Sequence, residues 1–141
     1  MKLLEFYALK QVGKPYIWGG DDPMKGFDCS GLVIEILKSC GMLPNKFDTT
    51  AQGLYDLFLP LGISSERALG SLIFYGRGTE MIKHVAFGLD NFRMLEAGGG
   101  GSKVLTVADA IKYNAFSRIR PIANRSDLVA VIMPKYEHLF K

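Results

Sequence analysis

The spacing of apolar residues changes once along this chain, and that change limits the folds open to it. Up to Phe58 they recur at helical intervals; from Ser71 onward they come in short runs of strand length. The clearest helical stretch follows Asp28, with Leu32, Val33, Ile36, Leu37 and Cys40 on one face and Gly41 as its stop. A first helix is expected over residues 3–12, ended by Gly13 and Pro15, and another over 50–58. Between the first two, residues 16–26 are too rich in glycine, aspartate and proline for either regular element, so an ordered loop with aromatic anchors is expected. Strands are expected over 71–75, 84–89, 92–97, 102–105 and about 116–120. A short helix from Thr106 interrupts them, with Asp109 completing a near capping box. Helices first and antiparallel strands after them make an α+β domain.

The chain of 141 residues shows no repeat and no dividing linker, which reads as a single domain over 1–141 with 121–141 as a C-terminal extension. In that extension, 128–133 fits either a last strand or a docking segment, ended by Pro134. Cys29 and Cys40 lie eleven residues apart in one helix, roughly 16 Å, whereas a disulfide needs about 4.4–6.8 Å. The formal charge of +3 comes from lysines and arginines scattered singly, so no nucleic-acid footprint is expected. No window approaches the ~18 apolar residues of a membrane span, and residues 1–8 lack the pattern of a signal peptide. Two cysteines and two histidines show neither CxxC nor HExxH spacing, so no metal site is expected. The run Gly98-Gly99-Gly100-Gly101-Ser102-Lys103 has the wrong order for a phosphate loop and reads as a connection.

Chemistry concentrates in Phe27-Asp28-Cys29-Ser30-Gly31. A thiol in the first turn of a helix meets unpaired N–H groups and the positive end of the dipole, both of which favour thiolate; the same residue also suits a small core position. Cys40 lies on the apolar stripe. A thiolate nucleophile needs a base that can later protonate the leaving amine, and His84, at a strand start, suits that role as well as it suits a half-buried structural histidine. His138 sits in a charged tail and is a poor candidate. Glu96 is the candidate to orient the imidazole, on an argument of register. A three-residue loop 89–91 makes Gly88 face Phe92 and sets Glu96 opposite His84, with Asn91 taking the left-handed conformation; a two-residue turn sends Glu96 to the other face. A solvated glutamate at a strand end is the alternative.

The order Gly13-Lys14-Pro15-Tyr16-Ile17-Trp18-Gly19-Gly20, then Phe27-Asp28-Cys29-Ser30-Gly31-Leu32-Val33, then His84-Val85, resembles the NlpC-like cysteine peptidases of bacteria and phages, papain-like enzymes that cut the peptide stems of peptidoglycan. The resemblance runs from about Leu3 to Ala97. It implies N-terminal helices packed on a central antiparallel sheet, with Cys29 as nucleophile at a helix N-terminus and His84 as general base. It also implies that Tyr16 serves the oxyanion or substrate, while Trp18, Asp28 and Ser30 shape the substrate-binding loop and the helix cap. Glu96 stands where the family usually has a histidine or a neutral polar residue, and Ser71 where an aspartate is usual. The implied reaction is hydrolysis of a stem-peptide amide, between D-glutamate and the diamino residue, without a cofactor. An N-acetylmuramoyl-L-alanine amidase and a non-catalytic phage tail or assembly module are the competing expectations. The absent signal peptide leads to the expectation of a phage lysis or virion-associated enzyme. Such an enzyme is made in the bacterial cytoplasm, acts on the wall after release, and has stem peptides and other virion proteins as partners.

Overall fold

Asp28 begins the helix that the sequence marks most clearly: its carboxylate accepts the Gly31 N–H at 2.7 Å, satisfying one of the donors a helix leaves unpaired at its start. The computed structural model describes residues 2–22, 26–64, 66–99 and 101–136. Its elements are α1 (Lys2–Leu9), β1 (Asp21–Asp22), β2 (Gly26–Phe27), α2 (Cys29–Ser39), α3 (Ala51–Phe58), β3 (Leu72–Gly76), β4 (Ile82–Gly88), β5 (Arg93–Gly98), α4 (Val107–Tyr113), β6 (Phe116–Pro121) and β7 (Leu128–Ile132). Thr50 and Thr106 cap α3 and α4 by the same device as Asp28. Among the described residues no helix is long and apolar enough to cross a membrane.

Strands β3 to β7 form one antiparallel sheet in the order β6-β5-β4-β3-β7. One side buries Leu72, Phe74, Val85, Phe87 and Leu95 in the main core with Leu32, Ile36 and Leu54 of the helices. A smaller cluster gathers Ile73, Tyr75, Ala86, Met94 and Val131, from the opposite face of the strands, with Ile122 from the turn after β6. The fold class is therefore the one expected, helices packed on an antiparallel sheet.

Five local expectations differ from what forms. The loop 16–26, expected without regular structure, carries β1 and the first residue of β2, paired antiparallel with Asp21 against Phe27 and Asp22 against Gly26. Helix α1 stops at Leu9 rather than residue 12, because the chain there turns into pairing with β6: the Gly13 N–H donates to Ser117 O at 2.8 Å and the Ser117 N–H to Lys14 O at 2.8 Å. Residues 102–105 form no strand. Gly101–Lys103 is a 3-10 turn, Val104 O accepts from Trp18 N–H, and Leu105 N–H is taken by Asp109, so no ladder is left to join. The β4–β5 register is displaced by two: Gly88 pairs with Met94 and Phe87 with Leu95, around a loop of residues 90–92. Asp90 closes that loop by accepting from the N–H groups of Phe92 at 2.8 Å and Arg93 at 2.7 Å. Asn91 stays out of the left-handed region, where Asn114 is the one non-glycine among the described residues. An odd-length loop is kept, so Glu96 still shares the face of His84, diagonally rather than directly opposite.

The segment 128–133 resolves as a strand on the β3 edge, and the chain then folds back so that Tyr136 is buried with its hydroxyl on Gly70 O at 2.7 Å. Residues 128–136 are thus integral to the fold. Tyr136→Ala should lower stability by about 3 kcal/mol or more through the cavity it leaves, and Tyr136→Phe by about 1 kcal/mol through the lost hydrogen bond. Urea unfolding midpoints of the two variants check this order.

Candidate active site

The loop before α2 is built onto the helix start. Tyr16 N–H donates to Ala115 O at 2.9 Å, Ile17 N–H to Phe27 O at 3.0 Å and Trp18 N–H to Val104 O at 2.7 Å, while Asp28 N–H donates back to Gly20 O at 3.0 Å. The Gly20 carbonyl lies so close to the first turn of α2 that a Cβ on Gly31 would sit 2.0 Å from it. Gly31 is therefore what allows the loop to lie over the residues flanking Cys29. Ser30 Oγ donates to Asp28 Oδ1 at 3.3 Å, so this hydroxyl reinforces the cap, although Ser30 also lines the cleft. Burial raises the Asp28 carboxyl above the usual range, against the hydrogen bonds from Gly31 and Ser30.

A cleft of about 710 Å³ brings together all the residues singled out in the sequence: Tyr16, Trp18, Asp28, Cys29 and Ser30 on the helix side, His84 and Glu96 on the sheet. Cys29 is the first residue of α2 and only partly buried. Its thiol is near enough to the His84 ring to raise the pKa of the imidazole. His84 Nε2 lies 2.6 Å from Glu96 Oε1, which leaves Nδ1 as the ring nitrogen available to the thiol. His84 and Glu96 are 6 % and 5 % exposed. Burial by itself pushes the His84 pKa down, yet hydrogen bonds and charge from Cys29 and Glu96 carry it up to about 9. Burial likewise favours the protonated form of Glu96, but the His84 hydrogen bond and charge, with Arg120 and Arg125, hold its carboxyl below the usual range. Tyr16, 6 % exposed, is pushed up to about 12 by burial and by the nearby Cys29 and Asp28, which keeps its hydroxyl a donor. Trp18 is half exposed at the rim.

Supporting groups reach the histidine from every side. The ladder shifts between Tyr75 and Gly76, so that Tyr75 faces His84 and Gly76 faces Ile82, and His84 emerges directly after the bulge. Gln52 of α3 pins that bulge by accepting from Ile82 N–H at 2.8 Å and donating to Thr79 O at 2.9 Å. The Tyr75 ring lies 5.8 Å from the imidazole. Sequence reasoning missed Arg120, Asn124 and Arg125, which line the same cleft, because their placement depends on β6 and β7 occupying opposite edges of the sheet. Gly98, Gly99 and Gly101 form part of the rim, while Gly100 and His138 lie outside the described residues. Ser71 Oγ closes the turn before β3 on Ala68 O at 2.7 Å and is not among the residues lining the cleft.

A cysteine at a helix start facing a histidine on an antiparallel sheet is the papain-like arrangement. The model of the NlpC/P60 family matches residues 13–120, and the chain belongs to that family. It is 36 % identical over 100 residues to murein DD-endopeptidase MepH of Escherichia coli, covering 68 % of this chain and 35 % of that protein. It is 38 % identical over 97 residues to the bifunctional muramidase/DL-endopeptidase CwlT of Bacillus subtilis, covering 67 % and 28 %. The matches thus span about a third of the length of these relatives. Among solved structures, the peptidoglycan hydrolase RipB of Mycobacterium tuberculosis superposes with a TM-score of 0.65 at 26 % identity, over 93 % of this chain and 62 % of that one. RipD of the same organism, described as a non-catalytic NlpC/p60 domain adapted to peptidoglycan binding, superposes at 0.64 with 20 % identity, over 95 % and 96 %, a likeness of fold alone.

The site makes stability depend on pH. The folded His84 value of about 9 lies above the 6.5 of a free imidazole, so its protonated form stabilises the fold fully below about pH 6.5 and that contribution is lost as pH rises through about 9. Glu96, held below its ordinary value, contributes above that value and loses the contribution as pH falls through the depressed one. NMR titration of the His84 ring should give a midpoint near 9, falling toward 6.5 or below in Glu96→Gln.

Proposed function

We propose that this domain is a cysteine peptidase that hydrolyses an amide in the stem peptide of peptidoglycan. The observation that carries the reading is the meeting of Cys29, His84 and Glu96 in one cleft, with His84 Nε2 2.6 Å from Glu96 Oε1. RipD shows that the fold by itself does not imply catalysis; a helix-start thiol and a carboxylate-paired imidazole lining one cleft are what favour it here.

The Cys29 thiolate attacks the stem carbonyl, with its proton already on His84. The tetrahedral oxyanion is met by the Cys29 N–H, unpaired within the helix as its first residue, and by the Tyr16 hydroxyl. Collapse breaks the C–N bond as His84 hands its proton to the leaving amine, giving an acyl-enzyme. His84 then takes a proton from water, whose oxygen attacks the thioester and releases the acid and the thiolate. Glu96 keeps the imidazole oriented and stabilises its protonated state.

The bond we assign is that between D-glutamate and the diamino residue, in keeping with the similarity to a protein named as a DL-endopeptidase; similarity to one named as a DD-endopeptidase favours the cross-link as the second reading. An amidase would cut before the first alanine instead, and a binding module would cut nothing. The biological setting proposed with this reading is phage lysis or a virion, with synthesis in the bacterial cytoplasm and action on the wall after release. Mass spectrometry of particle proteins and host lysates tests it.

Digestion of purified sacculi should release amine-bearing muropeptides whose masses identify the bond. Cys29→Ala should lower the rate by about 10⁴-fold or more and Tyr16→Phe by roughly 10²-fold. Identical muropeptide spectra from the wild type and Cys29→Ala would overturn the catalytic reading.

A further inference from the structure

Glu96 is buried, and one of its two oxygens is spent on His84. The other, Oε2, has Arg120 Nε at 3.7 Å, beyond a direct hydrogen bond but within strong Coulombic range. Arg120 reaches it from β6. Arg118, directly opposite Glu96 in that ladder, is instead held by Asn114, through Oδ1 at 2.6 Å and the backbone carbonyl. The other charged or titratable groups around the pair are Cys29 from α2, Tyr75 from β3, and Arg125 and Asp127 from the connection after β6. Arg125 is matched by Asp127 through a two-pronged pair of 3.0 and 2.8 Å. Tyr75 is neutral, its hydroxyl on Ile122 O at 2.9 Å. Among the described arginines near the pair, Arg120 is thus the one that faces Glu96 itself.

A carboxylate buried beside an imidazolium poses two problems for acid–base work. Burial favours protonating it, and an uncompensated charge binds the imidazolium proton too firmly to release it. A second cation on the free oxygen relieves both. We propose that Arg120 is a positioning residue for the acid–base pair: its charge holds Glu96 as a carboxylate and, by repelling the protonated imidazole, keeps the His84 proton available for transfer. The inference rests on His84 acting as base and acid, but its primary test needs no substrate.

Glu96 carboxyl and His84 ring titrations are followed by NMR in the wild type, Arg120→Gln and Arg120→Lys. With the charge removed, both midpoints should move up together, by about half a unit or more. This is the low side of what a neighbouring charge produces, since Arg120 is about one-third exposed. Arg120→Lys should restore most of the shift. In sacculus digestion both limbs of the rate–pH profile should move to higher pH in Arg120→Gln. A variant that merely loosened the Glu96–His84 bond would raise Glu96 and lower His84, and that pattern, or unchanged titrations, overturns the proposal. Arg120→Met keeps the apolar stem and provides the neutral variant if Arg120→Gln does not fold. Absence of any sacculus cleavage by the wild type would defeat the peptidase reading while leaving the titrations to decide this one.

Discussion

The contact on which the site depends is the seating of the Gly20 carbonyl against the first turn of α2, where it accepts the Asp28 N–H. Asp28 uses its two hydrogen-bonding ends in opposite directions, its side chain capping the helix and its backbone holding the loop. The cap contributes about 1 kcal/mol to the helix. Its larger effect is positional, because Cys29 is the next residue and Tyr16 and Trp18 are carried by the loop so held. Nucleophile, the proposed oxyanion donor and the rim are therefore fixed by one junction, which needs Gly31 for steric reasons.

The second constraint is electrostatic. A carboxylate and an imidazole that are both almost fully buried would each prefer to be neutral. Their 2.6 Å contact offsets this only if they charge together, so burial and ionisation become coupled. The sheet makes the contact affordable through the diagonal register: carried on from the Phe87–Leu95 and Gly88–Met94 pairs, it sets Glu96 diagonally from His84 on the same face, and an added Cβ on Gly98 would meet only the His84 ring edge at 4.0 Å. Gly98 thus leaves room beside the imidazole while the glutamate holds it through Nε2.

Much of this was legible in the residues. The helical stripe after Asp28 and the glycine–aromatic loop carry their own local physics, so α2, its cap and the position of Cys29 follow from sequence. The shared face of His84 and Glu96 followed from the parity of the hairpin loop and survived a register wrong by two, since parity depends on the loop being odd rather than on which three residues form it. The register itself was not legible because Asp90 could close the turn from its side chain. Residues 102–105 failed for a related reason: a run with strand composition becomes a strand only if a partner edge is free, and its backbone groups were already taken by the loop and by α4.

The part of the site that sequence could not supply begins at the last residue of the family match, Arg120, and continues beyond it. Because β6 and β7 sit on opposite edges, residues 122–127 must cross one face of the sheet, and the backbone hydrogen bonds of Ile122 to Phe92 and of Gly76 to Asp127 mark the two sides of that crossing. The crossing lays Arg125 5.2 Å from the centre of the Tyr75 ring, behind the histidine, and brings Asn124 to the cleft. No local pattern announces such a placement, since it follows from strand order alone. The same geometry explains why the chain needs β7: without the far edge to return to, the connection would have no anchor, and the face bearing His84 and Glu96 would be open to water. The low dielectric that makes their charges act strongly on each other is thus maintained by a segment that contributes none of the three residues of the proposed catalytic chain.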